Sequence, residues 1–148
     1  LAISRALKTY RQKGYSQNWV NQRLKSIEIR KSLTDEWEKR GVKEGIEFAI
    51  LTDEITQAWT GLTTKEYKKL KGIKKENLRD NMTNLELVLN MLAETATTEI
   101  SDKQEPKTLN ENKSVAREGG SVAGNARREI EMKTGKNVIT KSKPKMLK

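Results

Sequence analysis

The chain has 148 residues and a net charge of +10, and it contains no cysteine and no histidine. Disulfides, thiolate nucleophiles and cysteine metal sites are therefore excluded, as are histidine bases and histidine ligands. No apolar stretch approaches the ~20 residues of a membrane span and no signal pattern opens the chain, so we expect a cytoplasmic protein. The low apolar content predicts burial against a partner or neighbouring domain, and the start at Leu1 suggests a piece of a longer protein.

The charge is concentrated at the two ends of the chain. Residues 1–50 carry a net +5, residues 51–105 carry −2 and residues 106–148 carry +7. Basic ends suit contact with nucleic acid or an acidic protein, although lysines that only keep a domain soluble produce the same pattern. These three ranges are interpreted as an N-terminal helical connector, a helical core domain, and a C-terminal helical arm with a basic tail.

Capping signals divide the first part of the chain into helices. Apolar residues at helical spacing predict a helix over residues 2–13, and Ser16 is predicted to cap a second one. Thr34 is expected to cap a short third helix, because two acids follow it where they would favour the positive end of the helix dipole. Residues 43–51 match both a strand and a helix, and the lack of an obvious strand partner favours helix or turn.

Further caps are predicted at Thr52, Thr63, Thr83 and Thr108, the last three as capping boxes with a glutamate three residues later. The helix after Thr83 carries a wide apolar stripe, which predicts a place at the centre of the core. The stripe consists of Leu85, Val88, Leu89, Leu92 and Ala96, widened by Leu87 and Met91. A long final helix is expected to end at Gly135. The predicted fold is all-α, an irregular multi-helix domain with an appended long C-terminal helical arm.

The short helices predicted at 53–60 and 64–71 allow two interpretations. A helix-turn-helix would turn its lysines toward DNA phosphates. Its inner contacts would be Ala58, Leu62, Tyr67 and Leu70. However, the small residue precedes Gly61 by three positions rather than four, and the second helix has no arginine suited to reading bases. An ordinary helical hairpin with a solvated basic face is the alternative.

The glycine-rich stretch EGGSVAGNARRE at 118–129 has no preceding strand and matches neither GxGxxG nor GxxxxGK[ST]. A helix fits it better, because small residues then line one side and let another helix approach closely. These residues are Ala116, Gly119, Gly120, Ala123, Gly124 and Ala126. We predict that they serve helix packing or self-association and that the protein is a homo-oligomer through this arm.

The other conspicuous residues indicate structure rather than chemistry. Trp19, Trp37 and Trp59 lie beside aliphatic positions, which predicts core anchors rather than stacking platforms for bases. Adjacent acids such as those at 53–54 are better explained as helix-dipole partners than as catalytic groups. Residues 136–148 are expected to lie against another chain or another element of the fold.

Two stretches taken together resemble the damage-inducible protein D family of bacteria. They are GLTTKEYKKLKGIKKENLRDNMTNLELVLNMLAE at 61–94 and ENKSVAREGGSVAGNARREIEMKTGKNVIT at 111–140. That family is related to phage antirepressors and carries an amino-terminal BRO-type domain, so the resemblance implies that this chain is the carboxy-terminal part. One departure is Asn81, where many relatives are expected to have histidine.

The resemblance implies a cytoplasmic, non-enzymatic protein of the DNA-damage response. No cofactor and no metal are expected. Its expected partners are DNA, a recombinase filament or a repressor protein, contacted through the basic segment. The predicted nucleic-acid-binding residues are Lys65, Lys68, Lys69, Lys71, Lys74, Lys75 and Arg79. The alternative is a purely structural module that dimerises a BRO-type DNA-binding domain.

Overall fold

The computed structural model describes residues 2–144, which form six α-helices and one short 3-10 helix, with no β-strand among them. The α-helices are α1 (Ala2–Gln12), α2 (Gln17–Lys39), α3 (Ile46–Thr60), α4 (Thr64–Leu70), α5 (Asn84–Gln104) and α6 (Leu109–Thr134). The 3-10 turn at Arg79–Asn81 leads into α5. The predicted all-α class is confirmed. Within the described part of the chain, no helix is long and apolar enough to cross a bilayer.

Two of the predicted helix starts are wrong. Thr34 lies inside α2 and Thr52 lies inside α3. Each hydroxyl donates to a backbone carbonyl about one turn earlier, at 3.1 Å for Thr34 and 2.7 Å for Thr52. A threonine can satisfy its hydroxyl within a helix in this way, so acids that follow a threonine do not by themselves begin one. The ambiguous residues 43–51 form a turn that enters α3 at Ile46, as favoured by the sequence.

The remaining predicted caps form at Ser16, Thr63, Thr83 and Thr108. Thr63 and Thr83 make complete capping boxes, in which the hydroxyl and the following glutamate each accept a backbone N–H. Thr108 makes only the first half, because the carboxylate of Glu111 accepts from the N–H of Lys107 at 2.9 Å instead. Local sequence therefore determines where four of the helices begin.

We expect Thr83→Ala to lower the free energy of unfolding by about 1 kcal/mol, because the first turn of α5 loses its side-chain acceptor. The hydroxyl accepts from the N–H of Glu86 at 3.3 Å. Urea denaturation monitored by circular dichroism measures the change. Thr83→Ser keeps the hydroxyl and is the matched control, expected to retain most of the stability. An equal loss in both variants would assign the effect to the methyl group instead of the cap.

The core lies where α3, α5 and α6 meet, with α2 packed along α5 and α1 against α2. Trp19, Trp37 and Trp59 are each at most 1% exposed, so the prediction that they anchor the core is confirmed. Trp59 also meets the ring of Tyr67 edge-on, at 6.3 Å between centroids, which ties α4 to the core. Residues from all three predicted regions contribute to this one core.

The apolar stripe predicted for α5 is confirmed only in part, because three of its seven residues are buried and three are exposed. The buried ones are Leu87, Leu89 and Met91. Leu85, Val88 and Leu92 are between 38% and 43% exposed, whereas Glu86 and Glu94 are fully buried. The two carboxylates face other helices and the loop after α4, where cations bind them. The buried face of α5 therefore combines apolar side chains with paired charges, and part of its apolar surface is left to solvent.

The long helix α6 is an integral layer of the domain, because its small-residue face is covered by α3 and α5. A Cβ atom added at Gly119 would lie 2.6 Å from the Cα of Thr97, and one at Gly120 would lie 2.6 Å from the Cβ of Ala58. One at Gly124 would lie 2.6 Å from the carbonyl oxygen of Ala58. The predicted packing residues Ala116, Gly119, Gly120, Ala123, Gly124 and Ala126 thus pack helices of the same chain.

Candidate nucleic-acid interface

The predicted basic segment runs from α4 through the following loop to the 3-10 turn, and the structure separates its seven cations into two groups. Five lysines are exposed or half-buried, and none of them forms an ion pair within residues 2–144. These are Lys65, Lys68, Lys69, Lys74 and Lys75. The other two cations are held by buried carboxylates of α5.

Lys71 is one of these two, and its predicted role at the surface does not hold. Its side chain is fully buried, and its ammonium donates to Glu86 Oε1 at 2.6 Å and also to the carbonyl oxygen of Ser142. The hydroxyl of Tyr67 donates to the other oxygen of Glu86, and burial together with that negative charge raises the pKa of Tyr67. Lys71 thus joins α4, α5 and the segment after α6. The prediction that the residues after α6 lie against another element of the fold is met here by Ser142. Residues 145–148 lie outside the described part of the chain.

Arg79 is the second cation removed from the predicted surface. Its guanidinium donates two hydrogen bonds to Glu94, at 2.9 and 2.6 Å, and Arg30 of α2 donates a third at 3.0 Å. Burial by itself would raise the pKa of Glu94, but the charges of Arg79 and then Arg30 lower it below its usual range. Arg79 therefore fastens the loop to α5 and is not available for a phosphate.

The helix pair α3–α4 is not built as a helix-turn-helix. The two helices are joined through Gly61, whose φ of +81° closes α3 in the left-handed conformation. Ala58, predicted to contact the second helix, instead lies directly under Gly120 of α6. Only Tyr67 among the predicted inner contacts is fully buried. The alternative interpretation, a helical hairpin with a solvated basic face, describes the structure.

Three of the unpaired lysines line one groove of about 950 Å³ between α3 and α4. We call it the lysine groove and define it by Lys65, Lys68 and Lys74. Asp53 lies in the same groove, but one of its carboxylate oxygens accepts from the backbone N–H of Thr64 at 2.7 Å. Since the lysines have no carboxylate partner and outnumber the acid, the groove is cationic. Such a surface attracts polyanions.

The sequence did not reveal the polar side chains that α3 and α5 contribute beside this groove. Asn90 lies on a face of α5 that no motif singles out, and Thr52 was predicted only as the cap of a helix. Asn90 was hidden because a polar residue between apolar positions of an amphipathic helix is expected on the solvent side, whereas it is only 4% exposed. Among residues 2–144 no group of three or more acidic side chains is placed to hold a metal ion.

The fold and this surface define a class of protein: an all-α domain that presents a cationic groove built from a short helix and a loop. The comparison with protein families identifies it further, because the family described as the DinD C-terminal domain matches residues 16–144. The chain belongs to this family of DNA-damage-inducible proteins, and the resemblance found in the sequence is confirmed. No curated protein and no solved structure matches the chain.

Proposed function

We propose that this domain is a non-enzymatic, cytoplasmic module that binds DNA through the lysine groove, either as free DNA or within a recombinase filament or repressor complex. The observation that carries the proposal is the group of unpaired lysines around one concave surface. A lysine that is free of carboxylates loses no partner when it meets a phosphate, and it releases condensed counterions from the DNA. Membership of a DNA-damage-inducible family agrees with this function.

The chemistry of the groove determines the kind of binding expected. Lysine acts as a point charge, so its contacts position a phosphate backbone and carry no information about base sequence. The one arginine of the segment, Arg79, is already bound by Glu94. Binding should therefore depend little on DNA sequence and steeply on salt. On duplex DNA, a plot of the logarithm of the association constant against the logarithm of salt concentration should have a slope of about −0.9 for each phosphate neutralised.

A module that only dimerises a BRO-type domain is the alternative function. Its expected contact was the small-residue face of α6, which includes Gly119, Gly120 and Gly124. That face is covered by α3 and α5 of the same chain, so a second copy would meet it only if α6 left the domain. Self-association would need another surface, and the observations favour the lysine groove as the functional one.

The test is DNA affinity, measured by fluorescence anisotropy with single- and double-stranded oligonucleotides at two salt concentrations. A triple variant removes the charges of the groove. Its changes are Lys65→Gln, Lys68→Gln and Lys74→Gln. We expect at least about tenfold weaker binding at low salt and a salt slope smaller by about 2–3, because each lost phosphate contact removes about 0.9 from the slope.

The matched control removes the same number of charges at the opposite end of the α5–α6 pair. Its changes are Lys103→Gln, Lys107→Gln and Lys113→Gln. These lysines form no ion pair within the described ranges, and Lys103 lies roughly 20 Å along α5 from Asn90 at 1.5 Å per residue. Equal losses in the two triple variants would show that total charge matters and not the groove. No binding by the unaltered protein at low salt would reject the proposal.

A further inference from the structure

A smaller cavity of about 340 Å³ opens beside the lysine groove, bounded by α3, α4, α5 and the loop before α5. It shares Thr52, Thr64 and Lys68 with the groove, so the two spaces adjoin at these side chains. Met82 and Asn90 form its deep side, since they are only 3% and 4% exposed. The cavity therefore brings buried polar side chains next to the lysine groove.

Asn90 lines this cavity and has an unused hydrogen-bond donor. The indole nitrogen of Trp59 can only donate, and it donates to Asn90 Oδ1 at 3.2 Å. The amide oxygen of Asn90 is therefore held toward Trp59. The amide nitrogen, Nδ2, is buried and has no acceptor within residues 2–144. A buried N–H group without an acceptor is unfavourable, so this site favours an incoming acceptor.

Three further groups along the cavity wall favour an anion as that acceptor. The hydroxyl of Thr64 is buried and also lacks a partner among residues 2–144. Lys68 and Lys75 line the wall, and neither forms an ion pair with a described residue. The acid that faces them is Glu76, but one of its oxygens accepts from the backbone N–H of Lys74 at 2.8 Å. Donors and positive charge therefore predominate.

We propose that this cavity binds a phosphate group. Asn90 Nδ2 and the Thr64 hydroxyl donate to its oxygens, while the ammonium groups of Lys68 and Lys75 neutralise its charge. Phosphate suits this donor set better than a carboxylate does, because it offers more acceptor oxygens and more charge. A monoester suits the depth of the cavity, since a diester carries a sugar on both sides and cannot enter end-on.

The phosphate has two possible sources, the terminal phosphate of a DNA strand or free phosphate. The first of these rests on the proposed function, whereas the second does not. Titration of the full chain with inorganic phosphate, followed by NMR, tests the site itself. We expect a saturable shift of the side-chain amide resonance of Asn90. Absence of any saturable shift, together with no preference for a phosphorylated strand end, would overturn the proposal.

Two oligonucleotides of identical sequence, one with a 5′-phosphate and one with a 5′-hydroxyl, separate the sources. About tenfold tighter binding of the phosphorylated strand is expected if the cavity takes a strand end, as for one added charge-assisted contact. Equal affinities combined with a saturable effect of inorganic phosphate assign the site to free phosphate. The 5′-hydroxyl strand has no terminal phosphate, so its binding reports on the lysine groove alone. If that strand does not bind, the proposed DNA-binding function fails, whatever the result for the cavity.

Variants on a single short helix test the assignment of residues. Lys68→Met should weaken inorganic phosphate binding at least about tenfold, since it removes a charged donor. Lys69→Met is the matched control and should leave the affinity for phosphate unchanged. Lys69 is next to Lys68 in the sequence, but its side chain lines a different groove on the other side of α4. Thr64→Val keeps the shape and removes a hydroxyl that has no partner. The assignment of the site would be overturned if Lys69→Met weakened phosphate binding as much as Lys68→Met does. It would also be overturned if neither Lys68→Met nor Thr64→Val weakened phosphate binding.

Discussion

Glu94→Gln is expected to destabilise the domain by about 3–5 kcal/mol, because it leaves two guanidinium groups beside α5 without their common counter-charge. Arg79 and Arg30 donate three hydrogen bonds of 2.6–3.0 Å to a carboxylate that is only 1% exposed. A single domain is commonly stable by only about 5–15 kcal/mol, so a loss of this size is a large part of the total. Urea denaturation at neutral pH measures it.

The exposed Glu99, on the same helix and without an ion pair among residues 2–144, supplies the control Glu99→Gln, which should change stability little. The acid dependence gives a second readout. The pKa of Glu94 is lowered in the fold, so its stabilisation is complete above the ordinary glutamate pKa of about 4.3 and is lost as pH falls through the folded value. Below about pH 4 the unaltered protein should therefore lose stability more steeply than Glu94→Gln. Equal stability of the two glutamine variants would contradict this account.

Much of the helical framework was predictable, because helix ends depend on chemistry within a few residues. Ser16 and Thr83 begin helices and Gly135 ends one, since a hydroxyl acceptor or a left-handed glycine satisfies the terminal backbone groups. Thr34 and Thr52 resemble caps equally well in sequence but lie inside longer helices. What decides between the two outcomes is the packing of the flanking turns against other helices, which local sequence does not contain.

The candidate site was predictable only in part, for a related reason. Lys71 and Arg79 are the same residue types as the surface cations around them in the sequence. They differ because Glu86 and Glu94 lie opposite them in the fold, each 15 residues further along the chain. That separation corresponds to no helical spacing, so the ion pairs are products of tertiary structure. The same pairs bring two charged side chains of α5 into the core beside Leu87 and Leu89, which explains why only part of its apolar stripe is buried.

Gly119→Ala is expected to destabilise the domain by about 1–3 kcal/mol or more, although the same change in an exposed helix stabilises by about 1 kcal/mol. The added Cβ would lie 2.6 Å from both the Cα and the backbone nitrogen of Thr97. These are backbone atoms, so relief requires α5 and α6 to separate along their length. A thermal or urea melt of the full chain measures the loss.

Ser121→Ala is the matched control for Gly119→Ala, since it adds helix propensity on the exposed side of α6 and should leave stability unchanged or slightly higher. Light scattering on the same samples distinguishes the two roles of the small-residue face. If the face packs α5 within one chain, Gly119→Ala lowers stability and leaves the mass in solution unchanged. Steric overlap destabilises whichever contact Gly119 makes. If Gly119→Ala kept its stability but dissociated an oligomer, Gly119 would therefore lie between two chains.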